Sequence, residues 1–250
     1  MIKILAIGNS FSEDATHYLH QIAKVDGVNM KVVNLYIGGC SLKQHWDNIQ
    51  SGAKAYLLQE NGYSTEHYVS ILDALTMEEW DYVVTQQVSH DSGMLETYSP
   101  YIENIQGYIK AVLPKAEMLL QQTWAYEIDS LHSEFWNYHQ NQQEMYDRLK
   151  EAYQTVASKH GVRLIPCGDV IQKLRRKEPF LYNNGGMSLC RDGFHMNVIY
   201  GRYALAATWY KTITNNSVQD NTYIPHTELL PDFICNEAIL QVIKQTIEEI

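Results

Sequence analysis

The sequence predicts an α/β chain: a three-layer α/β/α sandwich on a central, mostly parallel five-stranded sheet, with a small β-hairpin inserted into it. Two observations carry this expectation. Short apolar runs without polar alternation recur along the chain, as in strands covered on both faces. Helix-length segments separate those runs, so the strands are joined by crossovers and run parallel.

The first run, IKILAI at 2–7, stops at Gly8. Ser12 reads as an N-cap, with Glu13 and Asp14 in the first turn facing the positive helix end, and a helix follows over 13–25. Residues 31–37 are the second strand, closed by Gly38 and Gly39, before a helix over 42–50. Segment 55–69 breaks the alternation: two β-leaning runs flank Asn61-Gly62, a dipeptide that favours two-residue hairpin turns. A helix over 71–79 leads to the third core strand, DYVVTQ at 81–86. An amphipathic helix over 98–113 ends at Pro114, and 117–122 is the fourth strand. A polar, aromatic-rich loop over 124–132 precedes a long helix over 133–160, which Gly161 caps. Residues 162–165 are a short fifth strand, and helices are expected over 169–176, 198–213 and 236–250. The proline, asparagine and glycine content of 177–191 marks a loop, and 215–232 is irregular. No repeat or linker divides the chain, so one domain spans 1–250, with 55–70 as the hairpin insertion and 215–250 as a C-terminal extension.

Hydrophobic residues make up 45% of the chain and charged residues 19%, which supplies a core and excludes a disordered segment. The net charge is -10, and the one basic run, Arg175, Arg176 and Lys177, reads as a solvated helix end. Neither nucleic acid nor an anionic membrane is therefore an expected partner. Cys40, Cys167, Cys190 and Cys235 form no C-x-x-C pair and read as free thiols of a reducing compartment. The apolar run from Ile4 to Ile7 is too short for a signal-peptide core, and none approaches the ~18 residues of a membrane span. A cytoplasmic location is the expectation. The histidines lack H-x-x-x-H or H-x-H spacing, so no metal is expected.

In parallel sheets ligands gather at the carboxyl ends of the strands. Three turns emerge there: Gly8-Asn9-Ser10-Phe11-Ser12, Gly38-Gly39-Cys40-Ser41 and Gln87-Val88-Ser89-His90-Asp91. Far along the chain stands Arg191-Asp192-Gly193-Phe194-His195, and its Asp-x-x-His spacing lets a carboxylate hold Nδ1 while Nε2 points elsewhere. A turn serine is a weak nucleophile unless such a base stands beside it. Cys40 reads as a small pocket-wall residue, without a histidine placed by motif to activate it. Trp46, Trp124, Tyr126, Trp136 and Tyr138 fall near this edge, where exposed rings can stack on sugar faces. Trp124, closing the fourth strand, is the candidate pocket wall.

GNS after the first strand, a glycine after the second and the late D-x-x-H together resemble the SGNH hydrolase superfamily, also called GDSL esterases, over residues 2 to about 209. The resemblance implies a flavodoxin-like fold, with Ser10 as nucleophile, His195 as base and Asp192 as its orienting acid. It also implies an oxyanion hole built from the N–H groups of Ser10 and Gly39 and a third, side-chain donor. The family's third block is Gly-x-Asn-Asp, where this chain has Val88-Ser89-His90-Asp91. His90, Gln87 or an unfilled position are the alternatives for that donor. Asn9 and Trp124 are candidate substrate contacts. The implied activity is cofactor-free hydrolysis of a short-chain acyl ester, acetyl first, on a small molecule or carbohydrate. The alternatives are an acyltransferase with the same triad and a catalytically weak carbohydrate-binding domain.

Overall fold

The computed structural model describes residues 1–250. Seven strands, β1 (Ile2–Gly8), β2 (Met30–Tyr36), β3 (Tyr56–Glu60), β4 (Tyr63–Val69), β5 (Tyr82–Thr85), β6 (Glu117–Gln121) and β7 (Arg163–Ile165), form one sheet in the order β4-β3-β2-β1-β5-β6-β7. The run from β2 to β7 is parallel, so the five expected core strands are present. The hairpin differs from a separate insertion. β3 pairs antiparallel with β2, and β4 pairs with β3, which extends the sheet to seven strands. Pairing satisfies the backbone groups that β2 would otherwise leave bare at an edge.

Nine helices cover the sheet: α1 (Ser10–Thr16), α2 (Leu19–Val25), α3 (Leu42–Ser51), α4 (Ile71–Met77), α5 (Tyr101–Val112), α6 (Gln142–His160), α7 (Cys167–Leu174), α8 (Tyr200–Thr214) and α9 (Glu237–Glu248). Helices α3, α4 and α5 pack together, while α8 packs against α1, α2, α7 and α9. Helix α8 is buried on nearly every side, which is why its sequence shows no apolar stripe. One core of 64 buried residues joins sheet and helices. No helix is long and apolar enough to cross a membrane.

Three local expectations change. The first helix starts at Ser10, not after Ser12, because Asn9 is the N-cap and accepts the Phe11 N–H. It also ends at Thr16, and α2 resumes after Tyr18, whose hydroxyl donates to Val198 O at 2.8 Å. The long helix over 133–160 is two pieces. A 3₁₀ turn over Ser133–Tyr138 buries Phe135 and Tyr138, His139 and Gln140 adopt left-handed φ of 52° and 51°, and Asn141 caps α6. The basic run is only partly a solvated helix end: Arg175 is buried, with Nη1 donating to Ala125 O at 2.9 Å and Nε 3.6 Å from buried Glu127.

The amino ends of the strands are tied by charge. Glu78 receives Lys3 of β1 at 2.8 Å and Lys31 of β2 at 2.9 Å. Hydrogen bonds from Lys3 and then Lys31 hold its carboxyl down to about 2, against an ordinary value of 4.5. A depressed folded-state value stabilises fully above 4.5 and loses that contribution as pH falls toward 2. Thermal melts should therefore show Glu78→Gln less stable than the parent at pH 7, with the gap closing as pH falls to 2.

Candidate active site

The parallel register lines up the strand ends. Gly8 pairs with Tyr36, and Ile7 with Thr85, so the turns after β1, β2 and β5 leave the sheet side by side. Asn9 ties the three together. Its Oδ1 caps α1 and also accepts from Gln86 Nε2 at 3.2 Å, while its Nδ2 donates to Cys40 O at 3.0 Å. Gly8 has no room for a side chain, since a Cβ there would sit 2.3 Å from Ser12 Oγ and 2.7 Å from Gln86 Nε2. Ser12 is fully buried, with Oγ 2.8 Å from Asn9 O and 2.7 Å from Asn34 Oδ1. Asn34 continues to Gln59 of the hairpin at 2.7 Å, and Gln59 to Glu13 at 2.6 Å. The hairpin thus buttresses the turn that carries Ser10.

Ser10 lies at the first position of α1, partly exposed, and its N–H makes no hydrogen bond within the chain. His195 Nε2 stands 2.8 Å from Ser10 Oγ, and His195 Nδ1 stands 2.6 Å from Asp192 Oδ2. The other carboxyl oxygen of Asp192 accepts the N–H groups of Phe194 at 3.2 Å and His195 at 2.8 Å, so the acid is held by the turn it orients. Partial burial works to raise the Asp192 carboxyl, but its hydrogen bonds from the His195 ring and backbone outweigh this and hold it below the ordinary value. An ionised Asp192 accepts a hydrogen bond from Nδ1–H, which keeps the ring proton on Nδ1 and leaves Nε2 bare, the tautomer that can receive the serine proton.

A buried charge cluster clamps this loop to the serine helix. Asp14 of α1, fully buried, accepts from Arg202 Nε at 2.7 Å, Arg191 Nη1 at 2.9 Å and the Met196 N–H at 2.9 Å. The sequence pattern marked Asp14 only as a first-turn carboxylate, since its partners lie 177 to 188 residues away. The loop is also packed from below. Trp124 stacks on Phe11 at 4.0 Å and 3°, and its indole N–H donates to Phe194 O at 2.8 Å.

Several expected roles change with this geometry. Trp124 is fully buried and supports the loop from within rather than lining a pocket. Asn9 is 2% exposed with its side chain spent on three turns, which leaves it no substrate contact. Gln87 donates its amide to Thr97 O and Oγ1 and accepts from Leu42 N, so its amide is already engaged. The His90 ring makes no hydrogen bond. It stacks on His132, which packs on Phe194, which in turn packs on His195. Gly39 sits exposed in the turn closed by Cys40 N to Ile37 O, with φ of +63° and an N–H that has no partner in the chain. Cys40 does have a histidine beside it, with His45 Nδ1 at 3.3 Å. Burial pushes the thiol up to about 12 and the imidazole down to about 3, so the pair is neutral and inert as a nucleophile. Tyr126 and Tyr138 are buried and Trp46 packs on the core, while Trp136 is 68% exposed. No group of three His, Cys, Asp or Glu side chains is arranged to hold a metal ion. A groove of about 970 Å³ lies at the opposite end of the strands, lined by Lys3, Asp81 and Glu117, and holds none of these residues.

No curated protein matches the sequence. Among solved structures, a DUF4886 family protein from Bacteroides uniformis is 34% identical and superposes with a TM-score of 0.89 over 99% of this chain and 93% of its own. A candidate SGNH hydrolase from Slackia heliotrinireducens, 22% identical, gives 0.56 over 85% and 98%, and the acetyl xylan esterase AlAXEase, 16% identical, gives 0.56 over 85% and 100%. Likeness at these identities is one of fold, and the fold is SGNH-like at a distance. The family model described as a domain of unknown function, DUF4886, matches residues 3–230, and the chain belongs to that family.

Proposed function

We propose that this chain is a serine esterase that removes a short acyl group, acetyl in the first place, from an alcohol. The observation that carries the reading is the unbroken chain Ser10 Oγ, His195 Nε2, His195 Nδ1, Asp192 Oδ2, with links of 2.8 and 2.6 Å across 185 residues of sequence. In the first half of the cycle His195 takes the Ser10 proton and Oγ attacks the acyl carbonyl. The tetrahedral oxyanion lies against the free N–H groups of Ser10 and Gly39, a hole of two backbone donors. The carbon–oxygen bond to the alcohol then breaks, and His195 returns the proton to the leaving oxygen. In the second half water gives a proton to His195 and attacks the acyl-serine, which releases the carboxylic acid and restores Ser10. The His195 side chain is 21% exposed, so water reaches the base. The likeness to an acetyl xylan esterase supports an acetyl group on a carbohydrate.

Labelling tests the nucleophile directly. A fluorophosphonate should form one adduct, and peptide mapping should locate it on Ser10. An adduct on Ser12 or Cys40, or none at all, would count against the mechanism.

A further inference from the structure

Beside the reacting pair lies a second pair of imidazoles that the acyl-transfer steps do not use. His132 is held by rings on three sides: Tyr126 at 4.8 Å, Phe194 at 4.8 Å and His90 at 6.0 Å. Phe194 in turn lies 4.2 Å from the His195 ring, so the pair shares the rim of the site. The backbone N–H of Glu134 donates to His132 Nδ1 at 3.2 Å, which makes that nitrogen an acceptor and puts the proton of the neutral ring on Nε2. This Nε2 is neither hydrogen-bonded within the chain nor sealed from solvent. The result is a rigid, oriented N–H donor without a partner.

We propose that His132, with His90 beside it, contacts the alcohol half of the ester, its Nε2–H donating to an oxygen of a neutral polyhydroxylated alcohol such as a monosaccharide. The proposal rests on the esterase reading. Burial, and next the neighbouring His90, keep the His132 ring below its ordinary value and so neutral at pH 7. The surrounding charge disfavours an anionic alcohol: Asp91 Oδ1 lies 3.9 Å from His90 Nε2, and Glu134 and Asp192 both face His132. A neutral donor amid carboxylates suits hydroxyl and ring oxygens.

Selectivity tests this. The ratio of kcat/KM on 6-O-acetylglucose to that on 4-nitrophenyl acetate, whose leaving group carries no hydroxyl, should fall about three- to tenfold in His132→Phe, as one neutral hydrogen bond is lost. His132→Gln, which keeps an N–H near the Nε2 position, should restore part of the ratio. An unchanged ratio in His132→Phe, or equal losses on both esters, overturns the proposal. A second readout is independent of turnover. Adding glucose to the Ser10→Ala protein should shift the His132 Nε2 resonance, and no shift overturns the proposal even if the parent protein hydrolyses neither ester. The esterase reading fails separately, if Ser10→Ala keeps the parent activity.

Discussion

Replacing Ser10 by alanine is expected to lower kcat on a chromogenic acetyl ester by about a millionfold. The reason is geometric. No other hydroxyl or thiol meets the His195 Nε2, since Ser12 is buried under Asn9 and Asn34 and Cys40 is a neutral thiol against a neutral imidazole. His195→Ala should cost about as much, and the double variant no more than either single one, because the two act as a unit. Asp192→Asn should cost about ten-thousandfold: the amide keeps the shape of the turn, but it no longer holds the proton on Nδ1. Initial rates for the four variants decide the matter. Parent-like turnover by Ser10→Ala, or additive losses in the double variant, would show that these residues do not form one catalytic unit.

The second large effect concerns Asp14, which touches no reacting atom. Asp14→Ala should destabilise the protein by about 3 kcal/mol, the low end for breaking a buried ion pair, because Arg202 is left almost buried and unpaired while the more exposed Arg191 can turn to water. A loss of that size lowers Tm by ~6–12 °C in a chain of this length. The substitution also frees the Met196 N–H, next to His195, so kcat should fall further than KM rises when rates are measured well below each Tm. Asp14→Asn keeps an acceptor for Met196 and should recover part of kcat while still losing stability. Melting curves indistinguishable from the parent would remove the clamp from this account.

The strands of the parallel core and the Asn61-Gly62 turn were legible because they depend on local patterning. An unalternating apolar run is buried on both faces wherever it sits, and a dipeptide with favoured positive φ turns the chain by itself. The turns bearing Ser10 and Gly39 and the Asp192–His195 loop were legible for a similar reason, since spacing within a few residues fixes a loop's own geometry. What spacing does not encode is a partner far away in sequence. Ser12 looked like a cap because only short-range features distinguish caps, and Asn9 holds that position through a hydrogen bond two residues on and two others across the sheet. Trp124 looked like a pocket wall because a strand end faces the site. Its ring instead lies on Phe11, with its indole N–H on Phe194 O of the Asp192–His195 loop.

The sequence by itself determined the alternation of strands and helices, the turn that bears Ser10 and the Asp192–His195 spacing, all short-range consequences of side-chain shape and backbone preference. Only the tertiary structure decided that the hairpin joins the sheet, that Asp14 locks two distant segments together, and that His132 presents a fixed donor at the rim. Each of these depends on burial. A carboxylate out of water must find its cations, a strand edge must find its hydrogen bonds, and an imidazole takes one tautomer when a backbone N–H occupies its other nitrogen.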